Sequence, residues 1–306
     1  MWTYLLERFL VVIPTLFILS LLIFFSIRLI PGDPAEIMAG EYATKEQVQL
    51  TRKRLGLDRP LYMQYIEFVS RLMHGDLGRS IRTNSPVFTE IKSRYINTLE
   101  LTTLSMLLAF FVGGIIGIIS ALKWNTWIDN VAMVGALIGV SMPVFWLGLL
   151  LILVFSVKLP WFPSVGKGSF AHFILPSLTL ATLPMAIIAR TTRASMLDVI
   201  RQNYVTTARA KGLAERAVVL KHALRNASIP IITIAGLQVG ILLGGAVITE
   251  TIFAWPGIGR ILVNSVIARD YPMVQGIVLM LAITVILVNL AVDLIYGFLN
   301  PRIHYG

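Results

Sequence analysis

Residues 99–122 read LELTTLSMLLAFFVGGIIGIISAL, an apolar run longer than the ~20 residues an α-helix needs to cross the hydrocarbon core of a bilayer. Runs of the same kind lie on either side, at roughly 9–30, 131–157, 172–192, 229–250 and 276–299. Together they predict an all-α membrane protein with six transmembrane helices. The composition agrees: 56% of the 306 residues are hydrophobic, the mean hydropathy is +0.78 and only 14% are charged, against about 25% in a soluble domain. A soluble fold has nowhere to hide that much apolar surface. The first run is expected to remain as a helix, because its apolar stretch from Phe9 to Ile27 exceeds a typical leader core and no small-x-small cleavage site follows. Arg28, near its end, either reaches the interface or stands as a buried functional charge.

Short loops set the expected orientation. Segments placed inside carry Arg8, Lys123, Arg193, Arg201, Arg209, Lys211, Arg216, Lys221, Arg225 and Arg302, whereas those placed outside carry Lys158, Lys167, Arg260 and Arg269. Lys and Arg accumulate on the cytoplasmic side, so both termini are expected there. The formal charge of +10 belongs to these loops and to anionic lipid. It does not indicate nucleic acid, since no basic run is interleaved with aromatics as a strand-binding groove requires.

The stretch 31–98 is also basic, but long loops translocate largely regardless of charge. Turn signals at Pro31-Gly32-Asp33-Pro34, Gly56-Leu57-Asp58-Arg59-Pro60 and Gly75-Asp76-Leu77-Gly78 flank helix-like stretches from Thr44 to Leu55 and Leu61 to Met73. The expectation is a folded extracytoplasmic loop after the first helix. The chain then divides into 1–98, the first transmembrane helix plus this loop, and 99–306, a five-helix core.

Chemistry is bounded mainly by absences. With no cysteine there is no disulfide, thiolate nucleophile or Cys-ligated metal. No Walker A pattern, H-E-x-x-H or G-x-S-x-G elbow occurs, so no motif for ATP hydrolysis or other catalysis is present. His74, His172, His222 and His304 are scattered, with none four residues from another. Glu250 and Asp293 fall toward the ends of their helices, where interfacial placement competes with ion coupling. A gradient-driven channel or secondary transporter is the rival class, disfavoured by the few ionisable residues at mid-membrane.

Small residues recur every four positions at Gly113 and Gly117, at Gly135 and Gly139, and at Gly236, Gly240 and Gly244. Such rows let helix backbones approach closely. Two readings stand: plain packing, or a fifth helix whose Gly244-Gly245 pair lines or gates a sliding passage. On the second reading Gly240, Gly244, Gly245 and Glu250 are the candidate pore or gate residues.

The most informative segment is the basic stretch from about 193 to 228. Met196, Ile200, Tyr204 and Ala208 at four-residue spacing predict one apolar helical face, closed by Gly212 as a left-handed C-terminal residue. A second periodic stretch, Ala217, Leu220, Leu224 and Ala227, carries Arg216, Lys221, His222 and Arg225 on its other faces, and Pro230 suits the first turn of the next membrane helix. Two short helices with a glycine hinge either dock into a partner's groove or rest on lipid.

Here the residues carry a resemblance. Tyr204-Val205-Thr206-Thr207-Ala208-Arg209-Ala210-Lys211-Gly212-Leu213, followed by His222-Ala223-Leu224-Arg225-Asn226-Ala227, resembles the cytoplasmic-loop signature of binding-protein-dependent ABC importer permeases. The version is that of the dipeptide, oligopeptide, glutathione and nickel branch. Leu29-Ile30-Pro31-Gly32-Asp33-Pro34, Glu250-Thr251-Ile252-Phe253-Ala254-Trp255-Pro256-Gly257-Ile258-Gly259-Arg260, Arg269-Asp270-Tyr271-Pro272 and Asn300-Pro301-Arg302 resemble it too, in the family's order. The broader family's loop begins Glu-Ala-Ala and closes Ile-x-Leu-Pro. Thr206-Thr207-Ala208 and His222-Ala223-Leu224-Arg225 stand there instead, a departure the peptide branch shares, so no contact of the leading acidic residue carries over.

The resemblance implies a transport subunit, not an enzyme: a permease forming half the pore of an ATP-driven importer in the bacterial cytoplasmic (inner) membrane. The cargo would be a small peptide, di- or oligopeptide or glutathione-like, with nickel or another small solute as the alternative. It implies a second, homologous permease subunit, two ATP-binding subunits that hold ATP and Mg, and a soluble substrate-binding protein, with no cofactor on this chain. Tyr204, Ala208, Arg209, Ala210, Lys211, Gly212 and Leu213 would couple the pore to the ATPase. Ala208 to Leu213 would seat in the ATPase groove, with Arg209 and Lys211 meeting acidic or polar groups.

Overall fold

A computed structural model describes residues 2–29, 32–40 and 42–299. Ile30, Pro31, the side chain of Asp293 and the Asn300-Pro301-Arg302 ending therefore lie outside the described residues. The chain is helical: α1 (Trp2–Leu29), α2 (Pro34–Ala39), α3 (Lys45–Arg54), α4 (Leu61–Met73), α5 (Val87–Leu122), α6 (Trp127–Ser141), α7 (Val144–Leu151), α8 (Ala171–Ile200), α9 (Asn203–Ala210), α10 (Glu215–Ala217), α11 (Leu224–Ile252), α12 (Ile258–Ile267) and α13 (Tyr271–Leu299). Wide π-helical turns extend α7 over Ile152–Lys158 and join α10 to α11 over Val218–Ala223.

Among the described residues, five stretches are long and apolar enough to cross a membrane singly: Val12–Leu29, Val87–Leu122, Ala171–Ile200, Glu215–Ile252 and Tyr271–Val292. The run expected to be continuous over 131–157 is instead broken, its halves Trp127–Ser141 and Val144–Lys158 meeting at 106°. Pro143 is the cause. Its ring pushes the preceding residue out of the α region, and Met142 is extended at φ −79°, ψ 125°. Its missing N–H also ends the hydrogen-bond ladder. Counted as one bent span, the pair brings the total to six. The second span starts earlier than its apolar run, at Val87, because Pro86 offers its carbonyl to Thr89 and Glu90 and opens the helix.

The chain divides into two compact units, 1–98 with 256–286 and 99–255 with 287–306. In the first, α1 packs on α4: Phe24 is fully buried, edge-on to Tyr65 at 5.2 Å, and the Ser20 hydroxyl lies 2.9 Å from the Tyr65 hydroxyl. The helix signals between α1 and α5 are realised in detail. Thr44 and Gln47 form a reciprocal capping box at the start of α3, which satisfies two otherwise orphaned N–H groups. Asp33 caps α2 and accepts from Arg52 Nε at 3.2 Å, and that hydrogen bond raises the Arg52 pKa.

Two motif residues find their physical reason here. Gly32 (φ +120°) lies under the Arg269 guanidinium, where a Cβ would sit 1.1 Å from Nη1. Asp270 is buried and caps α13 through Met273 N at 3.3 Å, while also accepting from Ser80 Oγ and from Ile81 N at 3.1 Å. Asp270→Ala leaves those donors unpaired, so a loss of about 2–3 kcal/mol is expected, read as a lowered Tm of the purified chain.

In the second unit α8 and α11 pack lengthwise around Ala181, Ile188 and Met196 from one and Ala227, Ile231 and Ala235 from the other. Gly113 and Gly117 of α5 press against α8, where a Cβ would lie 2.5 Å from the Met185 and Ala189 carbonyl oxygens. Side chains are excluded there by contact between backbones.

Candidate functional site

The site is the exposed strip between α8 and α11. The row Met196, Ile200, Tyr204 and Ala208, expected on one helix, is split between two. α8 runs on to Ile200, the chain turns through Arg201, and Gln202 (φ −75°, ψ 147°) starts α9. The buried face of α9 is formed instead by Val205 and Ala208, which pack with Val218 and Val199. Tyr204 is exposed, and its hydroxyl accepts from Asn226 Nδ2 at 2.7 Å.

α9 ends as the sequence predicts. Gly212 N donates to the Arg209 carbonyl at 2.9 Å and Leu213 N to the Ala208 carbonyl at 3.4 Å, with Gly212 at φ +75°. This is a Schellman cap, and its left-handed residue is the one that glycine adopts without penalty. A Cβ at Gly212 would meet nothing within 4 Å, so the constraint in the isolated chain is conformational. The second expected short helix is not separate. Glu215–Ile252 continues as a single stretch of 38 residues, and Pro230 lies inside α11 instead of in its first turn. Between Glu215 and Ile229 the ladder widens into π turns over Val218–Ala223 without ending the helix, and proline within a membrane helix is tolerated where neighbours re-satisfy the backbone.

Of the predicted coupling residues, Arg209, Ala210, Lys211, Gly212 and Leu213 are exposed with Tyr204, whereas Ala208 is buried and anchors the segment. Arg209 is committed within the chain, donating to Glu215 from Nε at 3.1 Å and from Nη2 at 2.7 Å, and the hydrogen-bonded carboxylate raises its pKa. What remains outward is an apolar tip, Leu213, beside the Lys211 ammonium.

The base of this strip holds a feature the sequence reading passed over. Asp129 in the first turn of α6 is buried and receives Arg193 of α8 in a two-pronged ion pair, Nε to Oδ1 at 2.6 Å and Nη2 to Oδ2 at 2.8 Å. Ser120 Oγ and Asn125 N (3.0 Å) complete the carboxylate's shell. The available signal was Thr126-Trp127-Ile128-Asp129 directly before an apolar run, a capping-box spacing. It marks the helix start and says nothing of a partner 64 residues away.

The glycines of the four-residue rows and the candidate pore residues differ in their surroundings. Gly139 and Gly236 are packing positions, their Cβ directions blocked by Thr182 at 3.2 Å and Val292 at 2.3 Å. Gly245 faces Leu180 Cδ1 at 3.1 Å, Gly240 is half-buried and Glu250 is fully buried. Gly244 faces open space, on the same face of α11 as exposed Leu237, Ile241 and Ile248.

Apolar helices that span a membrane, knitted by backbone-close contacts and presenting a basic, capped turn at the junction of two of them, fit a membrane transport subunit. The chain belongs to the binding-protein-dependent transport system inner membrane components, which match residues 113–305, with the family's N-terminal region matching 1–102. It is a multi-pass permease subunit of an ABC importer, working with permease, ATPase and binding-protein partners. Over 305 residues it is 50% identical to the glutathione transport system permease protein GsiC of Escherichia coli K12, and equally to that of Shigella dysenteriae serotype 1, with all of each chain covered. Among solved structures it shares its fold with the inward-facing MetNI methionine ABC transporter (TM-score 0.60, 20% identity, 70% of this chain and 97% of that one). An amino acid ABC transporter with histidines matches at TM-score 0.50 and 18% identity, over 71% of this chain and 95% of that one.

Proposed function

We propose that this chain forms half of a pore that imports a small peptide of glutathione or dipeptide size, and that the Gly212 turn transmits the ATPase's movement to it. The identity of half the residues along the whole chain to glutathione permeases is the observation that carries the cargo. In this reading both termini are cytoplasmic, the helical segment from Gly32 to Val87 faces outward, and the strip from Tyr204 to Leu213 points into the cytoplasm. Residues 1–98, the first transmembrane helix with its outward-facing loop, are one part of the chain and the five-helix remainder the other, a division supported by the family's two matching regions.

Two ATP-binding subunits hold ATP and Mg, and a soluble binding protein delivers the solute. Arg209 is paired and Ala208 is buried, so Lys211, Gly212 and Leu213 make the ATPase contact while Ala208 and the Arg209–Glu215 pair keep the turn rigid. Closure of the ATPases then rocks the segment and the long helix behind it as a body. The bare face of α11 around Gly244 lines the passage beside the second, homologous permease, with Gly240, Gly245 and Glu250 near it on the same helix.

Uptake of labelled glutathione into vesicles carrying the full importer tests the cargo. Unlabelled glutathione and dipeptides are expected to compete and Ni(II) to have no effect. Nickel uptake without peptide competition would move the chain to the alternative reading.

A further inference from the structure

We infer that α4 lies in the membrane surface, with one apolar face among the lipid acyl chains of the leaflet that α1 leaves at Leu29. The helix does not belong to a cap that stands clear of the bilayer.

α4 presents three faces. Gln64, Glu67 and Arg71 form a polar stripe, in which Glu67 pairs with Arg71 and with Arg59 at 3.1 Å. Tyr65 and Phe68 turn toward α1, their rings 5.2 and 6.0 Å from that of Phe24. The third face is Tyr62, Ile66 and Met73 at helical spacing, all exposed, Ile66 at 62% and Met73 at 82%. It carries no charge and lies nearly opposite the polar stripe. A contiguous apolar row of this kind marks a surface that is covered in the working protein.

Depth identifies the cover. The apolar stretch with which α1 crosses the membrane ends at Leu29. At the helical rise, Ser20 lies roughly 13 Å inward of Leu29 along the axis. The Tyr65 hydroxyl is 2.9 Å from the Ser20 hydroxyl. A tyrosine side chain is shorter than that depth, so the backbone of α4 at Tyr65 is itself inward of the end of α1. The polar stripe stays nearer that end, where Arg28 Nη2 donates to Gln64 Oε1 at 3.0 Å.

On α1, Ile13 and Phe17 continue the row of Ser20 and Phe24 into the membrane, and both are exposed, Ile13 at 66%. The α4 footprint therefore stops partway along a lipid-facing row, and acyl chains that bathe its lower half extend to the apolar face of α4. A helix in the membrane plane, with a polar stripe toward water and an apolar stripe toward lipid, is the interfacial arrangement. Tyr62 suits the headgroup boundary, its ring apolar and its hydroxyl wet. The inference holds whichever solute is carried and whichever side of the membrane Leu29 faces.

The chain has no cysteine, so Ile66→Cys, Met73→Cys and Glu67→Cys can each carry a single nitroxide. The labelled chain is assembled with cysteine-free partner subunits as the full importer in phosphatidylcholine nanodiscs, without binding protein, and collisions with oxygen and with chromium oxalate read the depth. Ile66 and Met73 are exposed and Glu67 is in surface pairs, so the labels leave the core intact. The labels at Ile66 and Met73 are expected about 5–10 Å below the lipid phosphates, and the label at Glu67 above them. Free access of chromium oxalate to Ile66 and Met73 would overturn the inference; if added binding protein then shields them, that protein is the cover. Shielding from both reagents would place the second permease on this face and overturn it equally.

Discussion

Asp129→Ala is expected to lower the stability of the chain by about 3 kcal/mol, because removing one member of a buried pair strands the other charge in a poor solvent. The Asp129 side chain is 2% exposed and that of Arg193 25%, so the figure sits at the low end of the range for fully buried pairs. Ser120 Oγ and Asn125 N lose their acceptor in the same step. The damage reaches function through α8, whose last turns carry Arg193 and lead directly into α9. Uptake is expected to fall with the Tm. The double change Asp129→Leu with Arg193→Met is expected to recover much of the stability, since an apolar replacement of a whole buried pair is often neutral, but not the coupling. A single variant with wild-type Tm would show that the pair is not a support.

Gly212→Asp is expected to break the link between ATP hydrolysis and uptake. Asp tolerates the left-handed region better than most L-residues but less well than glycine, so the substitution weakens the capped turn at Gly212 (φ +75°). The added carboxylate also sits beside Lys211 and Leu213 in the surface proposed to meet the ATPase. ATPase activity is expected to persist while uptake falls at least about tenfold. Gly212→Ala carries the strain without the charge, so it should fall between the two and separate conformation from contact. Normal uptake in Gly212→Asp would remove this turn from the mechanism.

The sequence was legible where a physical rule acts locally. Apolar runs marked the membrane helices because each must satisfy its own backbone in lipid. The helix-like stretch from Thr44 is realised with Thr44 as the cap of α3, and Gly212 announced a left-handed cap. Legibility failed where geometry is set by residues distant in the chain. The apolar run over 131–157 gave no warning of a 106° bend, although Pro143 stood in it, since proline within membrane helices is as often accommodated as obeyed. The split between α8 and α9 was hidden because Met196, Ile200, Tyr204 and Ala208 keep helical spacing across a two-residue break. The Asp129–Arg193 pair joins residues whose partnership exists only once α6 and α8 are packed. Conversely, the structure explains Gly32 and Asp270, which the sequence could present only as a resemblance: one makes room for Arg269, and the other caps α13 while holding the turn at Ser80.

Cross-linking from the Gly212 turn tests the central claim most directly. The chain has no cysteine, so Lys211→Cys provides a single attachment point for a short thiol-to-amine reagent in native membranes, with the product identified by mass spectrometry. The account predicts one dominant adduct to an ATP-binding subunit, formed at a rate that changes with nucleotide. A cysteine that labels freely with soluble thiol reagents, yields no such adduct and leaves uptake intact would contradict it.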